Sequence, residues 1–269
     1  MQWIYSEFYQ LIDHPALIFA VSFVVLSLAT WLGAAVKRQG HPLDEQTRDH
    51  FKNILGSALT LNALIVGFTF SMAGSRFAER KNYEEVETNS IGTEYLRADL
   101  LPGAYAAKVH SLLRDYLDER IAFYKTRGER ELREVHNRTA VLQRELWAAI
   151  RDAGATQPTP TVTLAIIGMN NVFDSKGLTE AAWLNRIPLS AWFLMIAIAV
   201  IGNLLLGYGA EGIKAGGLLL VVLPGVLSIS FLLIADIESP RGGIIQVEPK
   251  NLTALAESLQ SSRSDTATE

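Results

Sequence analysis

A stripe of hydroxyl and large apolar side chains runs along one face of the apolar segment 57–75. On a helical wheel at about 100° per residue, every member falls within about 60° of Ser57. The stripe consists of Ser57, Thr60, Leu64, Phe68, Ser71 and Ser75. Hydroxyl groups at both ends of an apolar band are typical of a membrane pore, where hydrated mouths flank a constriction that gates by dewetting. The stripe therefore predicts a water-exposed face, with Leu64 and Phe68 at the constriction.

The same residue types have a second interpretation, which the spacing leaves open. Ser, Thr and Gly also allow membrane helices to pack closely, so the stripe could equally be a helix–helix contact. Two amides, Asn62 and Asn203, also lie in apolar segments. Such groups usually form hydrogen bonds across helices.

Four segments without any charged side chain are long enough to cross a bilayer. Each contains 21 to 24 residues, and the segments are 15–36, 53–75, 187–210 and 215–235. About 20 residues of helix span a hydrocarbon core about 30 Å thick. Residues 1–14 contain no Lys or Arg, so the first segment is predicted to be a retained helix and not a secretion signal. The fold class predicted is an all-α membrane protein with four transmembrane helices in two hairpins.

The remaining residues divide into an extramembrane domain and a C-terminal segment. We predict a first hairpin over 1–75, a helical domain over 76–186, a second hairpin over 187–235 and a C-terminal segment over 236–269. Within the helical domain the second span is expected to continue as helix to about residue 100, and apolar residues at helical spacing predict further helices. A turn is expected at Gly128 and a loop at 154–160. The polar tail 258–269 is predicted to be disordered.

Composition excludes several classes of function. The chain has no cysteine, which excludes disulfides, thiolate catalysis and cysteine-bound metal. Its five histidines form no recognisable ligand pair, and no serine lies in a nucleophile-elbow pattern. The net charge of −4 gives no indication of a nucleic-acid partner. We therefore expect neither an enzyme nor a bound metal or cofactor.

Acidic residues after the second and fourth spans are expected to have structural roles, such as solvated helix faces, ion pairs and backbone caps. Glu84, Glu85 and Glu87 are expected to form a solvated helix face, although they could form an acidic ring if long helices bundle. Arg97 could pair with Asp99 or with Glu94, and the i, i+3 spacing of Glu94 and Arg97 makes a modest surface ion pair the default expectation. Asp236, at the end of the fourth span, is expected to pair with Arg241 or to cap neighbouring backbone groups.

Two stretches resemble the bestrophin family. In "LIVGFTFSMAGSRF" a Gly-Phe pair, Gly67 and Phe68, precedes a short apolar stretch and an Arg followed by an aromatic residue, as in the second bestrophin helix. The segment "DIESPRGGIIQVEPKNL" (236–252) is similar to the segment that follows the last span in bacterial bestrophins. Together with "IGTEYLRADLLP" (91–102), these stretches also look like an uncharacterised bacterial family of bestrophin-like membrane proteins.

The resemblance implies a homo-oligomeric ring, usually pentameric, in which the second helix lines a pore for small anions. The hydrophobic neck of the family would map onto Thr60, Leu64 and Phe68. Thr60 departs from the more uniformly apolar neck of bestrophins. The Asp-rich calcium clasp of animal members is replaced by "GGIIQVEP", so we expect no calcium site.

The membrane orientation stays open. The short hairpin loops carry five basic residues, Lys37, Arg38, Arg48, Lys52 and Lys214, whereas the opposite ends carry Arg241 and Lys250. By the positive-inside rule this places the hairpin loops in the cytoplasm, while bestrophins keep the helical domain there.

The predicted function is a passive anion channel in the bacterial inner membrane, with the lipid bilayer and further copies of the chain as partners. The alternative is a non-conducting scaffold or sensor whose helices over 104–152 bind a partner protein.

Overall fold

The computed structural model describes residues 11–39, 45–210 and 219–266, and within these it contains helices and no strand. In these three described ranges eight α-helices follow one another, with one short 3₁₀ helix at Ala98–Leu100 between the second and third. The α-helices are α1 Pro15–Gln39, α2 Glu45–Arg97, α3 Gly103–Lys125, α4 Glu129–Thr156, α5 Pro160–Leu184, α6 Leu189–Gly209, α7 Leu219–Glu238 and α8 Lys250–Thr266. The all-α prediction is confirmed.

Four ranges of the described residues are helical, long and apolar enough to cross a membrane. They are Pro15–Arg38, Gln46–Leu100, Pro160–Gly209 and Leu220–Glu238. Each contains all or most of one charge-free segment: residue 210 lies just after the third range, residue 219 just before the fourth, and residues 215–218 lie outside the described residues. The prediction of four spans is confirmed.

The described residues group into two compact units. The membrane unit comprises the described parts of Met1–Phe77 and Arg186–Gln246, and the helical unit comprises the described parts of Ala78–Asn185 and Val247–Glu269. The second helix is 53 residues long and belongs to both. It contains no proline, and Pro102 follows shortly after its end, where proline cannot continue a helix because it lacks a backbone N–H.

The membrane unit is built around α1, which packs against both α6 and α7. Two glycines allow α1 and α6 to approach closely. A β-carbon on Gly33 would lie 2.0 Å from the carbonyl oxygen of Leu204, and one on Gly207 would lie 1.8 Å from that of Thr30. Gly207 opens the "GYGAEG" stretch (207–212), which begins inside α6 and whose residues 211 and 212 lie outside the described part.

A hydrogen bond joins the same two helices inside the apolar interior. The Thr30 hydroxyl donates to Oδ1 of Asn203 over 3.2 Å, and Asn203 donates to the carbonyl of Ala199. The prediction that Asn203 bonds across helices is therefore confirmed. Asn62 is also buried, but its Oδ1 has no hydrogen-bond partner in the described structure.

In the helical unit α4 packs between α3 and α5, and α8 packs on α3. Its interior contains Leu113, Leu117, Leu146 and Ile150, all buried. The prediction of a disordered tail differs from the structure, since residues 258–266 form the last turns of α8 and only 267–269 lie outside the described residues. Leu252 is buried at the start of α8, and a helix anchored by packing can propagate into a polar sequence.

Candidate functional site

The second helix packs within the membrane unit through one narrow stripe. Asn62, Thr69 and Ala73 are buried, and Ile65 and Val66 pack against the core cluster to which Ala73 belongs. Only 11% of the most apolar window of α2 is buried inside the chain, compared with 44% for the window of α7. The rest of the chain therefore covers a smaller share of the apolar part of α2 than of α7.

The predicted stripe lies on the side of α2 away from this packing. All six of its residues are exposed in the single chain, and Leu64 and Phe68 keep 50% and 61% of their surface accessible. Asn62, Thr69 and Ala73 lie at about 120–160° from Ser57 on the wheel, so the two stripes are roughly 160° apart. No side chain of the described chain therefore closes this face.

The polar member of the expected neck is less polar than its residue type implies. The Thr60 hydroxyl donates to the carbonyl oxygen of Gly56, one turn earlier, over 2.9 Å. Because the hydroxyl proton is used in this hydrogen bond, Thr60 presents only a methyl group and an acceptor oxygen to its surroundings. This reduces the departure of Thr60 from an apolar neck.

Small residues form a strip beside the predicted stripe. Gly56, Ala63, Gly67 and Gly74 lie at about 80–120° from Ser57 on one side. A β-carbon on any of the three glycines would meet nothing within 4 Å. The packing of the described chain therefore does not require glycine at these positions.

The segment after the fourth span is held by Asp236. Its two carboxylate oxygens accept hydrogen bonds from the backbone N–H groups of Ile244 and Ile245, at 2.7 and 2.9 Å. Of the two roles expected for Asp236, capping of neighbouring backbone groups is confirmed. Gly243 packs so closely that a β-carbon would lie 2.5 Å from the Asp236 carbonyl oxygen.

A second carboxylate fixes the start of the chain to the same region. Asp13 accepts two hydrogen bonds from the Arg186 guanidinium, at 2.8 and 3.0 Å, and a third from the Ser239 hydroxyl at 2.9 Å. A β-carbon on Gly242 would lie 1.9 Å from the Asp13 carbonyl oxygen. The "SPRGG" turn (239–243) is therefore shaped by close backbone contacts, which explains its two glycines.

These features agree with a known family. A family model described as the bestrophin-like domain matches residues 20–252. The chain belongs to the bestrophin-like family. The match includes α2, the helical unit up to Leu252 and the Asp236 segment, which contain the stretches that carried the resemblance.

Solved structures share the fold of this bestrophin-like chain. A crystal structure of a bacterial bestrophin homologue from Klebsiella pneumoniae covers 93% of this chain and 99% of its own, at 15% identity and a TM-score of 0.59. A second structure of a bestrophin homologue from that organism covers 89% and 95%, at 17% identity and a TM-score of 0.60. A crystal structure of a membrane protein covers 90% and 97%, at 14% identity and a TM-score of 0.63. No curated protein matches the chain.

The helical unit contains a buried ionic network that sequence reasoning missed. Arg120 donates to both carboxylate oxygens of Glu87 and to Glu180. The Tyr124 and Thr179 hydroxyls also donate to Glu87, at 3.3 and 3.1 Å. Burial by itself lowers the pKa of Arg120, but the charge of Glu87 and smaller contributions from other neighbours together outweigh this effect, so the net shift of the pKa is upward.

The expectation that Glu84, Glu85 and Glu87 form a solvated face is wrong for two of them. Glu84 and Glu87 are 1% and 0% exposed, whereas Glu85 is exposed. Glu84 accepts hydrogen bonds from the backbone N–H groups of Asn251 and Leu252, at 2.9 and 3.0 Å, and from the Asn251 amide. It thus neutralises the positive end of the α8 dipole.

The expected surface pair of Glu94 and Arg97 is also wrong. Glu94 is completely buried, and neither of its carboxylate oxygens has a hydrogen-bond partner in the described structure. Asp99, also considered as a partner of Arg97, instead lies 3.4 Å from Nε2 of His110. Within the described residues no group of three or more His, Cys, Asp or Glu side chains could hold a metal ion.

Proposed function

We propose that this chain forms a homo-oligomeric ring in the bacterial inner membrane, in which α2 lines a passive pore for small anions. Ser57, Thr60, Leu64, Phe68, Ser71 and Ser75 would line that pore, and Leu64 and Phe68 would form its constriction. No catalytic role is proposed.

One observation carries the proposal: the face with hydroxyl groups around Leu64 and Phe68 is exposed and lies opposite the packed face of α2. An isolated lipid-facing helix has no need for three serines on its exposed side, because lipid cannot hydrogen-bond to them. A water-filled pore meets that need, and a Leu/Phe band within it can dewet and restrict flow.

The small residues beside the stripe support the oligomer. In a ring, each pore-lining helix has a neighbour at the flank of its pore face, and small residues let membrane helices approach closely. Gly56, Gly67 and Gly74 have this position and open space around them. Family membership supports a ring, pentameric in the usual bestrophin case, and it is also the basis for proposing anions as the permeant class.

Halide flux from proteoliposomes tests the proposal. We expect the purified protein to conduct above empty liposomes, and Phe68→Ala to conduct more, because the apolar ring becomes wider. Phe193→Ala is the matched control, since Phe193 lies on α6 and is 75% exposed. If Phe68→Ala assembles as an oligomer and its flux equals that of the wild type, Phe68 does not line the pore.

The alternative is a membrane scaffold or sensor whose helices over 104–152 bind a partner protein. Val141 and Trp147, on α4, are 42% and 39% exposed, which favours a contact surface there. Because the chain has no cysteine, Phe68→Cys introduces a single reactive thiol. A pore predicts disulfides between copies at position 68 and none for Phe193→Cys, whereas a scaffold without a central axis predicts no such preference.

A further inference from the structure

Three glutamates lie on the buried face of α2 in the helical unit, and they differ in the hydrogen-bond partners of their carboxylate groups. Glu84 binds the amino-terminal end of α8, and Glu87 binds Arg120, Tyr124 and Thr179. Glu94 is equally buried, yet both of its oxygens lack hydrogen-bond partners in the described structure. An ionised carboxylate without partners is strongly unfavourable in such a site, so the group is expected to neutralise itself by holding a proton.

The carboxyl group of Glu94 rests directly on the backbone of α5. A β-carbon on Gly168 would lie 1.8 Å from Oε2 of Glu94 and 2.6 Å from Nη1 of Arg97. Gly168 is buried, and so are Ile91 and Ala98, one turn to either side of Glu94. The absence of a side chain at residue 168 therefore creates the space that the carboxyl group fills.

The charged groups around this contact are few. On α2, Arg97 is the charge that acts on Glu94 and favours its ionised form. On α5, residues 160–173 carry no charged side chain, and the first charge is Asp174. The 3₁₀ helix contributes Asp99, which is exposed and lies near His110, while His110 and Arg114 of α3 reach α2 at Tyr95.

We propose that Glu94 is a protonation switch of the helical unit: its neutral carboxyl group holds α2 against α5 at Gly168, and loss of the proton drives the two helices apart there. Desolvation by burial, opposed by a smaller effect of the Arg97 charge, raises the pKa of Glu94 from 4.5 to about 8. The switch thus operates near neutral to mildly alkaline pH. The proposal concerns the helical unit and does not depend on channel activity.

The sign of the pH dependence follows from proton binding. Between pH 4.5 and about 8 the folded protein keeps the Glu94 proton, whereas the unfolded chain releases it. The folded state binds more protons in this interval, so its stability falls as the pH rises and levels off above about 8. Glu94→Gln keeps the shape and removes the titration.

Two measurements on the full-length protein test the switch. The first is the thermal midpoint against pH for the wild type and Glu94→Gln, with Glu85→Gln as control because Glu85 is exposed on the same helix. We expect the thermal midpoint of Glu94→Gln to exceed that of the wild type by an amount that grows as the pH rises to about 8. The midpoint of Glu85→Gln should change with pH as that of the wild type does. A difference that does not change with pH would overturn the proposal.

The second measurement is the infrared carbonyl band of a protonated carboxylic acid. We expect the wild type to show this band at neutral pH and to lose it at alkaline pH, and Glu94→Gln to lack it already at neutral pH, where ordinary carboxyl groups are ionised. If Glu94→Gln fails to fold, Gly168→Ala serves instead, because its methyl group occupies the position of Oε2 and displaces the carboxyl group towards solvent. That variant should lose the band at lower pH than the wild type. A wild type without the band at neutral pH would contradict the switch.

Discussion

Arg120 and Glu87 form an ion pair whose two side chains are completely buried. Arg120 also lies over the ring of Phe123, 4.5 Å from its centroid. Each charge is therefore compensated only by the groups around it, and neither can turn to water if its partner is removed.

Arg120→Met is expected to destabilise the helical unit by about 3–5 kcal/mol, because it leaves the Glu87 carboxylate buried without its cation. Hydrogen exchange of the amides of α3 measures this loss. Arg130→Met is the control, since Arg130 is 83% exposed in its pair with Glu134. Replacing both partners by Leu should recover part of the stability. A double variant with the summed loss of the single ones would contradict this account.

Gly207→Ala is expected to weaken the packing of α1 on α6 by about 1–3 kcal/mol, the usual cost of overpacking. Its methyl group would meet the Thr30 carbonyl oxygen at 1.8 Å, and backbone atoms cannot move aside cheaply. The midpoint of thermal unfolding in detergent provides the measurement. Gly225→Ala, where the nearest atom is 3.9 Å away, should have little effect. Equal midpoints for the two variants would show that the close approach is not required.

Asp236→Asn is expected to loosen the turn after the fourth span. The amide keeps one acceptor oxygen where two backbone N–H groups now bind, and the loss of a charged acceptor costs about 1.5–3 kcal/mol. Hydrogen exchange at Ile244 and Ile245 should become faster. Glu248→Gln is the control, because the Glu248 side chain is 69% exposed. Unchanged protection at both amides would rule out this role of Asp236.

Glu84→Ala is expected to release the start of α8. The change removes the acceptor of the Asn251 and Leu252 N–H groups, and capping losses are about 0.5–2 kcal/mol. Limited proteolysis should then cut the chain earlier near residue 250, while Glu85→Ala should behave as the wild type. Identical cleavage rates in all three proteins would mean that packing of α8 alone holds this helix.

The sequence by itself determined the four spans and the helical class. Both follow from local properties, since a charge-free run of 21 residues or more is long enough for the bilayer whatever lies beside it. The wheel of α2 likewise placed Ser57, Leu64 and Phe68 on one face. The pattern did not show which face of α2 the protein itself covers, because that depends on where α1, α6 and α7 pack.

Only the tertiary structure shows which acidic residues are buried and which groups they contact. Glu84, Glu85, Glu87 and Glu94 are chemically alike, and their spacing shows only which of them share a face. Burial of three of them depends on distant partners, namely Arg120, the start of α8 and the bare backbone at Gly168. These contacts join residues 33 to 167 positions apart or lie between separate helices. The charge of a buried carboxyl group is set by such neighbours in space, and no local pattern in the sequence contains them.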